Sequence, residues 1–434
     1  MEEMLRTWQE AWTPELKERE LPDTKFSSRK IITFTGVRRC GKTYMMFQRI
    51  NELAKTVPKE SIFYINFEDE RVEKRTEVLT NLMPSLMKLY GDGNKKYYLF
   101  LDELQVMPEW SRWLRRVLDG YRNIELFVSG SSSALSSREI PTELRGRAVN
   151  FEITPLSFRE FLSFGDIKFE KDLPLTERER GTMSRALSEY LEYGGFPEVA
   201  AEQNPSRKAM LVQEYFRTIV SRDIAERHNL KNTGLLSDFL RMVVNTTNFS
   251  VNKTVNVLKS QGRKVGKGTI LNYTRFAADS YFCSFVPVFS HKVKDMEQHP
   301  KKVYLADNAF LTFISTKFSK NWGRLYENSV FLHLKGKQNS NPLIDIFYWK
   351  DSEAEVDFVI KDSEKVMELI QVCQNPSDYD TKSRECRALV KASKELGCKK
   401  LSVITEDYEK TESFEWRGTE REIKFVPLWK FLLS

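Results

Sequence analysis

A chain of 434 residues, 41% hydrophobic and 30% charged, has material for roughly two to four domains with substantial cores. No apolar run reaches the roughly 18 residues a membrane span needs, and the formal charge of +7 is too small to mark the whole chain as a polycation. Five scattered cysteines (40, 283, 373, 386, 398) without a C-x-x-C pair, and four separated histidines, exclude a disulfide frame and a zinc site and point to a cytoplasmic protein.

In chain order, residues 1–20 are charged and amphipathic and contain no signal-peptide core. Ile31-Ile32-Thr33-Phe34-Thr35 is β-branched and aromatic, as a buried strand should be. Gly36-Val37-Arg38-Arg39-Cys40-Gly41-Lys42-Thr43 then fits G-x-x-x-x-G-K-[ST], followed by a helical pattern through Met46, Phe47, Ile50, Leu53 and Ala54. In such a strand–loop–helix unit, successive N–H groups and the helix N-terminus wrap a phosphate chain. Lys42 would reach the β- and γ-phosphates, and the Thr43 hydroxyl would ligate Mg²⁺. The phosphate-binding set is Gly36, Val37, Arg38, Arg39, Cys40, Gly41, Lys42, Thr43 and Tyr44.

A second strand is predicted at 61–67, a helix through Val78, Leu82 and Leu86, and a turn at Gly91-Asp92-Gly93-Asn94. Tyr97-Tyr98-Leu99-Phe100-Leu101-Asp102-Glu103 is an apolar strand closed by two acids, about sixty residues beyond Lys42. Asp102 would hold Mg²⁺ and Glu103 would orient or deprotonate the attacking water. After a helix through Trp113 and Leu114, the strand at 124–129 ends in Gly130-Ser131-Ser132-Ser133. Ser131 is the candidate γ-phosphate sensor, a plain turn being the other reading. Glu143-Leu144-Arg145-Gly146-Arg147 leads into a strand at 148–153 and Pro155-Leu156-Ser157-Phe158.

Together GVRRCGKT, YINFED, YYLFLDE, the serine run, LRGR and ITPLSFREF resemble the archaeal-type ATPases of the AAA/STAND P-loop class. The likeness continues through Tyr193-Gly194-Gly195-Phe196-Pro197 and Arg222-Asp223-Ile224 with Arg227. The resemblance implies ATP as ligand, a sheet whose two nucleotide-site strands are separated by the serine-tipped strand, and a winged helix behind the core. It also implies an arginine finger at Arg147 or Arg145, acting in trans in a homo-oligomer; a solvated or salt-bridged turn is the alternative. Phe196-Pro197 would pack near the adenine in such folds, or form a plain turn.

Helices are predicted at 175–193 and 208–228, and three short ones at 235–244, 251–260 and 269–281. Strand patterns at 285–289 and 302–305 complete a winged helix. Residues 251–302 carry ten Lys or Arg against three acids, a surplus equal to that of the whole chain. Double-stranded DNA is therefore the candidate partner, with Lys264, Lys267 and Arg275 on its phosphates; a winged helix used only for protein packing is the alternative.

From residue 321 a second resemblance, to the restriction-endonuclease fold, rests on Glu327 in a helix, Asp357 in a strand, and Gln371-Val372-Cys373 where an E-x-K would stand. An amide ligates Mg²⁺ weakly and a cysteine supplies no ammonium, so nuclease activity is not expected. A further helix is predicted at 381–397 and a strand at 400–405. The expectation is an α/β protein: P-loop NTPase core of AAA type over 1–165, helical lid 166–230, winged helix 231–320, and endonuclease-like domain 321–434. Its function would be Mg²⁺-dependent ATP hydrolysis coupled to a nucleic-acid or protein partner. A nucleotide-gated switch with little turnover is the alternative.

Overall fold

The five strands predicted in the N-terminal part form one sheet in a computed structural model of the protein. The structure describes residues 1–11, 13–91, 95–131, 144–169, 176–290, 292–316 and 321–434. Of the turns named above, Asp92-Gly93-Asn94, Ser132, Ser133 and Glu143 lie outside the described residues. Strands β1 (Ile31–Thr35), β2 (Ile62–Asn66), β3 (Tyr97–Asp102), β4 (Ile124–Gly130) and β5 (Ala148–Glu152) pair in parallel in the order β2-β3-β4-β1-β5. Strands β1 and β3 are buried along their whole length, which is why they read as continuous apolar runs. The serine-tipped β4 separates the strands that end in the phosphate loop and in the acid pair, the order the resemblance implied. Because all strands run the same way, these ends gather along one edge.

Helix Glu2–Ala11 covers β2 through Leu5 and Trp8. The Trp8 indole donates to the Ile62 carbonyl (2.9 Å) and lies beside Phe47 and Tyr64. One compact unit comprises Met1–Thr154 and Asp279–Tyr281.

The second unit comprises Pro155–Ala278 and Phe282–Ser434. Ser157 with Glu160, and Thr176 with Glu179, form reciprocal caps on the first turns of Phe158–Phe164 and Glu177–Tyr193. The long helix expected at 208–228 begins as Pro205–Thr218 and continues as π-helical Ile219–Glu226, which buries Ile219, Val220, Ile224 and Ala225. Helices Thr233–Asn245, Val251–Ser260 and Lys267–Asp279 accompany an antiparallel sheet β6-β8-β7, of Asn248–Phe249 (β6), Cys283–Val286 (β7) and Lys301–Leu305 (β8). Strand β7 starts and stops earlier than the predicted 285–289. Pro287 has no N–H for a ladder, and its carbonyl instead accepts from Tyr348 N (3.2 Å).

A six-stranded mixed sheet closes the chain: β9 (Ile344–Lys350), β10 (Glu355–Asp362), β11 (Lys365–Val372), β12 (Leu401–Thr405), β13 (Lys410–Trp416) and β14 (Thr419–Pro427). Its order is β13-β14-β12-β11-β10-β9. Helix Tyr379–Leu396 crosses between the parallel β11 and β12, and buries Leu389 against Val359, Leu369 and Val403. The β13–β14 hairpin is not anticipated by the sequence pattern. Its many Glu, Lys and Arg read as solvated surface, although Ile423 and Phe425 fill a buried face.

Gly194-Gly195 ends helix Glu177–Tyr193 for a steric reason. Gly194 has φ +77°, and a Cβ there would lie 1.6 Å from Asp307 Oδ1. Asp307 Oδ2 accepts from Gly195 N (2.7 Å), and its Oδ1 from Ala309 N (2.8 Å). Burial pushes the Asp307 carboxyl up to about 7, the two N–H donors pulling the other way. The folded carboxyl thus keeps a proton that the unfolded chain has lost. Its contribution to stability is full below about pH 4 and is lost as pH rises through about 7. Urea unfolding of the full chain at pH 5 and pH 8 should show lower stability at pH 8, and Asp307→Asn should shrink that difference. Gly194→Ala should destabilise by about 2–4 kcal/mol in the same assay.

Candidate functional site

The site begins where β1 stops. Gly36 has φ +143°, and a Cβ there would meet the Ile153 carbonyl at 2.1 Å, so only glycine allows the loop to leave the sheet at this point. Arg39 (φ 69°) and Gly41 (φ +100°) make the remaining left-handed bends. Lys42 then opens helix Lys42–Ala54; its buried amine donates to the carbonyls of Gly36 (3.1 Å) and Val37 (3.2 Å). Val37 and Cys40 are buried in the loop, burial raising the Cys40 thiol above its usual range. Arg38 reaches Glu68 (3.3 Å), and Tyr44 is exposed, edge-on to Phe47.

The structure brings the two sequence motifs together. Thr43 Oγ1 donates to Asp102 Oδ2 at 2.7 Å, across 59 residues of chain. Asp102 Oδ2 also accepts from the Tyr64 hydroxyl (2.8 Å), and Oδ1 accepts from Ser129 Oγ. Burial, and then the charge of Glu103, push the Asp102 carboxyl above the usual carboxylate range, while the three hydroxyls pull it back. Glu103 sits in the left-handed region (φ 52°), its N–H donating to Ser129 Oγ at 3.1 Å. Its Oε2 accepts from Gln105 Nε2 (2.5 Å) and faces Ser131 N at 3.4 Å. Ser131 thus approaches Glu103 through its backbone.

A carboxylate and a hydroxyl 2.7 Å apart are hard oxygen donors of the kind Mg²⁺ takes. Among the described residues no group of three or more His, Cys, Asp or Glu could hold a metal alone.

Ser129, Tyr64 and Arg19 are site residues that the sequence reading misses. Register pairs Leu101 with Val128, which sets the next residue pair, Asp102 and Ser129, side by side; counting back from the strand ends would find it. Tyr64 is the one polar tip in the apolar run Ile62–Ile65. Arg19 donates to the carbonyls of Cys40 (2.8 Å) and Thr154 (3.1 Å), clamping the loop from a segment without periodicity. Arg147 lies at the other end of the sheet: its carbonyl accepts from Ile31 N (2.8 Å), and its guanidinium faces Asp119 (3.4 Å). The five residues of β1 separate it from the phosphate loop by roughly 16 Å, so it does not join its own chain's site. Phe196 is wholly buried between Tyr215 and Phe310, with no surface left for a base.

A second constellation lies in the other unit. Lys302 of β8, only 1% exposed, places its amine 2.7 Å from Asp357, 3.0 Å from Glu327 and 3.0 Å from Glu355. Tyr304 donates to Glu327 (2.6 Å), and Asp357 also accepts from Val372 N (2.9 Å). Burial pushes the Lys302 ammonium toward losing its proton. The charges of Asp357, Glu327 and Glu355 outweigh it and hold the ammonium well above the usual lysine range. Gln371 bridges Asp357 N (3.0 Å) and Glu385 (2.5 Å), while Glu368 pairs elsewhere, with Ser402 and Lys400. The cation missing from 371–373 thus arrives from a distant strand, and it fills the space between the acids. Lys302 is accordingly withdrawn from the basic surface counted over 251–302. Arg263 of that set is paired with Asp238.

Residues 28–162 match the model of an AAA domain; residues 184–321 and 322–431 match two domains of unknown function, DUF8612 and DUF4143. The uncharacterized protein MJ1544 of Methanocaldococcus jannaschii is 35% identical over 419 residues, covering 95% of this chain and 90% of that protein. An uncharacterized protein of Haemophilus influenzae is 26% identical over 357 residues, covering 80% and 82%. Among solved structures, the Walker-type ATPase PABY2304 of Pyrococcus abyssi aligns with TM-score 0.44 and 14% identity, over 66% of this chain and 91% of that one.

Removing the Lys302 amine leaves three carboxylates facing one another in a buried site. Lys302→Met should therefore cost about 3–5 kcal/mol in urea unfolding at pH 7.5. The loss should shrink at pH 5, where the orphaned acids take up protons.

Proposed function

This chain belongs to the family that includes MJ1544, built on an AAA P-loop domain, and from that premise we propose that it hydrolyses ATP to ADP and phosphate. The observation that carries the reading is the 2.7 Å hydrogen bond between Thr43 and Asp102, which joins the phosphate loop to the acid-tipped strand. The loop N–H groups and the Lys42 amine hold the β- and γ-phosphates. Bound Mg²⁺, with Thr43 and Asp102 among its ligands, would neutralise charge on the phosphate oxygens. Glu103 takes a proton from a water whose oxygen bonds to the γ-phosphorus in line with the departing bridge oxygen. The bridge P–O bond breaks, and its electron pair leaves with ADP. Arg147 is proposed as a finger only for a neighbouring copy, since its place at the far end of the sheet removes it from its own site.

The three-helix segment with its β6-β8-β7 sheet is read as a winged helix whose exposed Lys253, Lys259, Lys264, Lys267 and Arg275 meet duplex DNA phosphates. We read the C-terminal sheet as endonuclease-like without cleavage activity, because the neutral amide of Gln371 stands where a metal-ligating acid would, tied to Asp357 N and Glu385. Among the described residues no helix is long and apolar enough to cross a membrane, and a cytoplasmic location is proposed.

Phosphate release with purified full-length protein tests the reading. Lys42→Ala should abolish tight ATP binding. Glu103→Gln should bind ATP with unchanged affinity and turn it over about a hundredfold more slowly or less. Binding of labelled ATP without release, in the presence and absence of duplex DNA, would favour the low-turnover switch. Duplex binding at two salt concentrations should weaken with salt, and Lys267→Ala should lower the slope of log K against log salt by roughly one.

A further inference from the structure

We propose that Gln105 is a positioning residue for ATP hydrolysis, fixing the carboxylate of Glu103 by donating an amide N–H to its Oε2. The proposal rests on the hydrolase reading above and names a residue that reading does not use.

The local chain geometry forces the encounter. Asp102 ends β3, and Glu103 turns the chain through a left-handed φ of 52°. A single 3₁₀ turn, Leu104–Val106, follows at once, closed by Val106 N on the Glu103 carbonyl (3.2 Å). The reversal brings the side chain of residue 105 back onto that of residue 103, where Gln105 Nε2 and Glu103 Oε2 lie 2.5 Å apart. Ser131 N approaches the same oxygen at 3.4 Å. Both donors therefore engage Oε2, and Oε1 is left as the oxygen that can take a proton from water.

The far end of the amide supports a role beyond packing. Gln105 Oε1 is buried and has no hydrogen-bond partner among the described residues. Flipping the amide would set this oxygen against the Glu103 carboxylate, so the donor must point at Glu103 and the acceptor must stay inside. A glutamine with no partner to serve would turn outward and satisfy both ends in water. The amide is thus held in an orientation that serves Glu103.

A kinetic cycle with ATP and the full chain tests this under single-turnover conditions with enzyme in excess, so that slow variants stay measurable. Gln105→Ala should lower the hydrolysis rate constant at least about tenfold while leaving ATP affinity within about twofold. The near-isosteric Gln105→Glu keeps the volume, loses the donor and should fall at least as far, which guards against a packing artefact. In a Glu103→Gln background, Gln105→Ala should add no more than about twofold, because its effect passes through the carboxylate already removed. The assignment is overturned if Gln105→Ala hydrolyses ATP at the wild-type rate, or if it loses the same factor with and without Glu103. If Glu103→Gln itself turns over at the wild-type rate, the hydrolase reading fails as well, which is a different result from failure of Gln105 alone.

Discussion

One buried carboxylate organises the nucleotide-binding unit. Asp102 collects hydroxyls from Thr43, Tyr64 and Ser129, which come from the helix after the phosphate loop and from the strands on either side of β3. An ionised group so deep in the protein is tolerable only when its lone pairs are met, and three hydroxyls meet them without cancelling its charge. What remains is a carboxyl joined to the end of the phosphate loop through Thr43. The parallel sheet is the condition for this. With every strand running the same way, the ends that carry Gly36, Asp102 and Ser129 share one edge.

The second unit answers the same physical demand differently. Asp357, Glu327 and Glu355 are also gathered in a buried place, but they are met by an ammonium. Hydroxyl partners leave a carboxylate free to attract a divalent ion, whereas a tethered lysine already supplies the cation. The two clusters have similar sequence signatures, acids at strand and helix positions, and opposite electrostatic outcomes.

Much of the first site was legible. The motif Gly36 to Thr43, the apolar run ending in Asp102 and Glu103, and the strand between them follow from local composition, because each is a continuous stretch whose chemistry is set by its own residues. Ser129, Tyr64 and Arg19 were not, since their roles depend on strand register or on a strap without periodicity. Gln105 lies two residues beyond Glu103, yet only the left-handed turn at Glu103 makes it a partner. Lys302 is the extreme case. It counted as one of ten surface cations in sequence, and the fold buries it. Phe196, expected near a base, is instead core, because Gly194-Gly195 carries the chain against Asp307 and Leu156.

The Lys302 cluster also bears on how such proteins can be assembled from parts. The lysine lies in the segment that matches DUF8612, and its three acids lie in the segment that matches DUF4143, with the seam at residues 321 and 322. A sequence-defined boundary thus runs through a single knot of charge. Exchanging either half for the corresponding piece of a distant relative would strand buried ions unless the other half changed with it. Across evolution these two segments should therefore travel as a pair, and substitutions at 302 should be accompanied by substitutions at 327, 355 or 357.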